Sequence, residues 1–320
     1  MAQPATSGSA QGAIEALLKE ELAFADQALA SNAPILRHLL RNDDSSIFSD
    51  EIVARVRGMF HDIARQLVIA LAEAAGHADP QGWAHRAADE LAQVLAGNEA
   101  FLFHLHTLAL EWQLTERLQG RLALDPVLPP LLQARVAAQD AQVSALAMNL
   151  LAANARFGQA QRRMQMPLAE LPGDLFHIAL VTMRAFVGDD AGADGYALIA
   201  ERTLRGKFDE TRGRLGLMRR VLDAMGGEAV QALTIDHAGV AMFLTALALG
   251  SGQSRETAVM ATTESQLPRL ALSLCASGLR SEAISAQFLA IHPDVTLPEG
   301  LGALRPDTAA AILASVGAHR

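Results

Sequence analysis

The chain has 320 residues and a formal net charge of −9; 51% of it is apolar and only 4% aromatic. That much apolar material can bury a sizeable core and excludes a largely disordered chain. The acidic balance argues against a general nucleic-acid binder, which needs surplus cations to neutralise phosphates.

Cys275 is the only cysteine, so neither an internal disulfide nor a cysteine-based metal site is expected, and a reducing, cytoplasmic setting is the simplest expectation. Met1 to Ala10 lacks the basic start and apolar core of a signal peptide. Ala238 to Leu249 is the most apolar run, too short to span a bilayer. A soluble chain with no membrane partner is therefore expected.

Met1 to Gln11 reads as a frayed start. Ile14, Leu18, Leu22, Ala25 and Leu29 mark a first amphipathic helix, followed by a short apolar turn at Pro34 to Leu40 and a polar loop at Asn42 to Ser46. The next helix is the best signposted in the chain. Ser49 is an N-cap, Asp50 and Glu51 favour the positive end of the helix dipole, Phe48 and Val53 have staple spacing, and Gly76 is a stop. Between them Val53, Val56, Phe60, Ile63, Leu67, Ala70 and Ala74 alternate three- and four-residue steps, the seam of a helix that packs along another.

On this helix the order His61-Asp62-Ile63-Ala64-Arg65-Gln66-Leu67 resembles the phosphoacceptor segment of histidine-kinase dimerisation domains. The resemblance implies that the His61 imidazole attacks a phosphoryl group, with Asp62 as the orienting base and Arg65, one turn on, as a phosphate contact. Gln66 stands where that family usually has proline. The alternative is an ordinary solvated histidine on the polar face of a bundle helix.

Asp79-Pro80 then opens a helix through Trp83, Ala87, Leu91 and Val94 to Gly97, and Asn98 opens another with Phe101, Leu105, Leu108 and Trp112 on one face. His104 and His106 are two residues apart and so lie on different faces; core-edge histidines are expected, and no metal. After Pro129-Pro130, Leu132, Val136, Gln139, Val143, Leu146, Leu150, Ala153 and Phe157 predict a second long seam, with Gln139 placed to set register. Intramolecular packing and a homodimer fit the two seams equally well.

Gln159 to Pro172 changes texture and marks a boundary. Beyond it, Gly188 to Gly195 reads as a helix–helix loop, lacking both the spaced ligands of a calcium loop and a phosphate-loop motif. Arg202, Arg205, Lys207, Arg212, Arg214, Arg219 and Arg220 form the one local basic excess, either a solvated helical face or a docking surface for an acidic partner or a phosphorylated site. From Asp236 the helices shorten, with Asp236, Ser254 and Ser281 as caps, Pro268 as a start, and Asp307 capping a last weak helix before a mobile tail. The second helix of a Leu270–Leu289 helix-turn-helix would lack Arg and Lys, which speaks against DNA binding.

Leu274-Cys275-Ala276-Ser277-Gly278-Leu279 and the later Phe288-Leu289 give the last third a resemblance to an uncharacterised alphaproteobacterial helical family, domain of unknown function 2336. That family implies a helical fold and offers no catalytic residues.

The expectation is thus an all-α protein: an N-terminal antiparallel helical bundle over 1–165, an array of short helices over 166–292, and a tail over 293–320. Functionally it reads as a signalling or regulatory protein–protein interaction module, a histidine phosphotransfer-like protein without kinase activity or cofactor. Its partner would be a protein such as a response-regulator receiver domain, and not nucleic acid. A plain α-helical scaffold and a small-ligand-binding helical sensor are the alternatives.

Overall fold

The computed structural model describes residues 6–41, 50–188, 191–297, 301 and 304–317. Among these residues the protein is all-helical, with no strand. The expected loop at Asn42 to Ser46, the Ser49 cap and the Phe48 staple lie outside the described residues.

Contacts group the chain into two units, each built from separated stretches. The boundary drawn at 165 follows texture along the sequence, a different criterion. One unit comprises 1–32, 114–137 and 222–320, the other 33–113 and 138–221.

The helices of the first unit are the early part of α1 (Thr6–Arg41), the end of α4 (Glu99–Leu122), α5 (Pro130–Val136), the end of α9 (Arg214–Met225), α10 (Ile235–Ser251), α11 (Arg255–Met260), α12 (Leu267–Ala276), α13 (Ser281–Ile291) and α14 (Pro306–Gly317). Its core gathers Leu18, Leu22, Leu132, Phe243, Leu247, Leu270, Leu274 and Phe288. α10 packs on α5, α11 and α12. It is interrupted at Gly239, whose φ of 71° breaks the helical backbone, so the regular helix begins near Val240. A Cβ at Gly239 would also lie 3.1 Å from the Pro129 ring. The buried Arg269 guanidinium binds Gln266 Oε1, Gln253 Oε1 and the Asp26 carboxylate, tying α12 to α1.

One expectation for these segments needs correction. Pro34 does not end the first helix but lies inside α1, because Leu36 and Leu39 beyond it are buried and hold the stretch helical. The last helix, expected from Asp307, is α14, and the tail expected after it lies outside the described residues. α14 buries Ala309, Ile312 and Leu313 and packs against α12.

The second unit holds α2 (Asp50–Ala74), α3 (Pro80–Ala96), the first part of α4, α6 (Ala141–Arg162), α7 (Gly173–Val187), α8 (Ala191–Lys207) and most of α9. α2 is central: it packs along α3 and against α7 and α8. Gly76, at φ 72°, ends the passage out of α2 with a Schellman arrangement, the His77 N–H reaching back to the Ala72 carbonyl and that of Gly76 to Glu73. Asp79 caps α3 through the Gly82 N–H with Pro80 in the first turn, as its sequence predicts.

The second long seam is broken. α5 ends at Val136, and Asp140 starts a separate helix by accepting from the N–H groups of Gln142 and Val143. Gln139 is exposed between them. Farther on, α8 begins at Ala191, so most of the Asp/Gly-rich stretch is helix rather than loop.

α2 also touches the turn after α6. A Cβ on Gly58 would lie 2.7 Å from the Met164 Cβ and 2.8 Å from its carbonyl oxygen. Met164 itself sits at φ 54° and its backbone has little freedom to retreat. Gly58→Ala should therefore destabilise the protein by about 1–3 kcal/mol in urea unfolding. Gly120→Ala, with nothing within 4 Å of the added methyl, should be neutral or stabilise by up to about 1 kcal/mol.

Candidate functional site

His61 and Arg57 lie one turn apart on α2 and share a face. With Asp89, Gln93 and Ala96 of α3, and with Leu40, they line an open cleft of about 420 Å³. Phe60, buried and tilted against Phe101 at 6.0 Å, anchors the helix beneath it. The His61 side chain is 37% exposed, and its Nδ1 lies 2.9 Å from Asp89 Oδ1. A carboxylate only accepts, so Nδ1 carries the proton and Nε2 keeps its lone pair when the ring is neutral. Arg57 donates to the Leu39 carbonyl at 3.2 Å.

The structure turns Asp62 away from His61 and pairs it with Arg65. Consecutive helical residues are about 100° apart, and Asp62 points into the unit, 6% exposed. Its Oδ2 accepts from the Met166 N–H at 3.1 Å and from Gln66 Nε2 at 2.8 Å, and its Oδ1 from Arg65 Nη2 at 3.1 Å. Arg65 reaches further to Gln81 Oε1, at 3.3 Å.

Gln66 bonds the Met166 carbonyl and the Leu168 N–H. Together Asp62 and Gln66 pin the backbone that follows α6. The acid on His61 is Asp89, which the sequence reading missed. Nothing local marks it, since the two residues are 28 positions apart.

A second polar cluster is buried in the same unit. The Arg214 guanidinium pairs with the Glu111 carboxylate, donates to Asn154 Oδ1 at 3.2 Å, and lies over the Phe157 ring at 3.8 Å. Its backbone N–H donates to Glu170 Oε2 at 2.7 Å. Burial pushes the Glu170 carboxyl up; that bond and the charges of Arg214 and Arg156 partly offset the shift.

The basic stretch from Arg202 to Arg220 is accordingly no uniform face. Arg214 is core, Arg205 binds Glu201 and His177, and Arg220 donates to the Thr211 carbonyl. His104 and His106 are both buried. Among the described residues, no group of His, Cys, Asp or Glu is placed to hold a metal ion, and no helix is long and apolar enough to cross a membrane.

No family model, curated protein or solved structure matches the chain.

Two outcomes follow from this geometry. Asp62→Ala strands a buried N–H and should cost about 1–3 kcal/mol in urea unfolding, whereas Asp89→Ala, at an exposed pair, should change stability by less than about 1 kcal/mol.

Burial lowers the His106 pKa from 6.5 to about 4. The unfolded chain binds a proton below about 6.5 that the folded state refuses until about 4, so stability is complete above that window and falls with acidification. At about pH 5 the loss from His106 should be about 2 kcal/mol. His106→Asn should flatten the slope of stability against pH by about one proton in this range.

Proposed function

We propose that this chain is a signalling protein–protein interaction module whose His61 accepts and passes on a phosphoryl group, the donor being a partner such as a response-regulator receiver domain. The observation that carries this reading is the His61 Nδ1–Asp89 Oδ1 contact of 2.9 Å in an open cleft. A half-exposed imidazole fixed at one nitrogen by a carboxylate has the form of an activated nucleophile.

In the proposed step the Nε2 lone pair forms a bond to phosphorus while the bond from phosphorus to an acyl-phosphate oxygen of the donor breaks, leaving that donor as a free carboxylate. The ring becomes positively charged, and the Asp89 carboxylate stabilises it through the Nδ1–H bond. Arg57 lines the same cleft and supplies the cation for the phosphoryl oxygens. Asp62 and Arg65 act through structure, holding α2 to its neighbours. A phosphohistidine formed this way is handed to a second acceptor by the reverse step, so no nucleotide site is required.

Incubation of the full chain with radiolabelled phosphoramidate tests the proposal. The label should be acid-labile and alkali-stable, disappear in His61→Ala, fall by at least about tenfold in Asp89→Asn, and persist in Asp62→Asn. Label that survives His61→Ala, or no label on the native chain, would contradict it.

A further inference from the structure

α2 ends where Gly76 turns the chain, and the short link to α3 lays the His77 ring parallel to the Trp83 ring, with centroids 5.3 Å apart and 16° between planes. Phe186 and Val187 at the end of α7, Tyr196 in α8, Leu71 in the last turn of α2 and Ala75 just past it face the same space. They enclose a second cleft of about 440 Å³ within this unit.

Its size falls in the range of small-molecule sites, roughly 300–1,000 Å³. Three of its walls are aromatic rings, in a chain that is only 4% aromatic. Among the described residues no Asp, Glu, Lys or Arg lines it, although 19% of the chain is charged. Tyr196 is 44% exposed, so its ring is open to an incoming molecule.

We infer that this cleft binds a small, uncharged aromatic molecule. The rings offer faces and edges for stacking, and the Leu71, Ala75 and Val187 side chains complete an apolar floor. A charged group entering the cleft would lose its hydration with no opposite charge among the described lining residues to replace it, and that cost selects against ionised ligands. The Tyr196 hydroxyl and the His77 imidazole supply the polar partners that fix orientation. The site shares no lining residue with the His61 cleft and does not depend on the phosphoryl-transfer reading.

A matched pair of dyes tests it on the full chain: N-phenyl-1-naphthylamine, which is uncharged, and 8-anilinonaphthalene-1-sulfonate, its sulfonated relative. Fluorescence titration should show saturable binding of the uncharged dye, one per chain, at least about tenfold tighter than the sulfonate. Ala75→Trp, which fills the cleft, should weaken it by at least about tenfold, and Tyr196→Ala by about threefold. Val181→Ala and Ile199→Ala, at exposed apolar residues outside the lining, should leave it unchanged. Should Ala75→Trp lose its helical circular dichroism, Tyr196→Ala decides. Equal binding of both dyes, equal loss in the Val181 or Ile199 variants, or no saturable binding would overturn the inference.

Discussion

The burial of α2 around most of its circumference is the constraint on which the second unit depends. Ile52, Val56, Met59, Phe60, Ile63, Ala64, Leu67, Val68 and Leu71 are all buried, and so are Arg55 and Asp62 on the same helix. A polar group taken out of water must find partners inside the protein. Arg55 finds the Gln161 carbonyl and Glu51, and Asp62 finds the Met166 N–H. These demands bind the backbone from Gln161 to Leu168 to the central helix, and Gly58 lets Met164 approach closely enough to satisfy them. The sector of α2 carrying Arg57 and His61 escapes this burial and opens on a cleft.

The Arg214–Glu111 pair obeys the same rule at greater depth. Removing two charges from water roughly cancels their attraction, so such a pair adds little net stability; breaking one half leaves a buried charge and is costly. The surrounding Asn154, Phe157 and Glu170 contacts are what make the burial tolerable. They also join residues far apart in sequence: Glu111 and Arg214 are 103 positions apart.

Signals confined to a few residues were legible in the sequence. The Gly76 stop, the Asp79-Pro80 start and the Ser254 cap all act within a turn of themselves, and each sits where its chemistry places it. Periodicity was less informative. Three- and four-residue steps ran on across Ala137 to Asp140, because spacing registers apolar positions and not the Asp140 cap that divides α5 from α6.

The candidate site was half legible. His61 stood out by type and setting, but Asp89 is brought to it only by the packing of α3 on α2. Asp62 is the instructive case, since its separation from His61 around the helix already denies it the same face. Arg57, one turn before His61, satisfied that geometry throughout.

The account rests on Asp89 holding the His61 Nδ1 proton so that Nε2 is the free nucleophile. Long-range nitrogen–proton correlation NMR of the full chain, labelled in its histidines and taken at a pH where the His61 ring is neutral, reads that tautomer directly. The account predicts an Nδ1-protonated His61 in the native protein and in Asp62→Asn, with the preference lost in Asp89→Asn. An Nε2-protonated ring in the native protein, or a tautomer indifferent to Asp89, would contradict it.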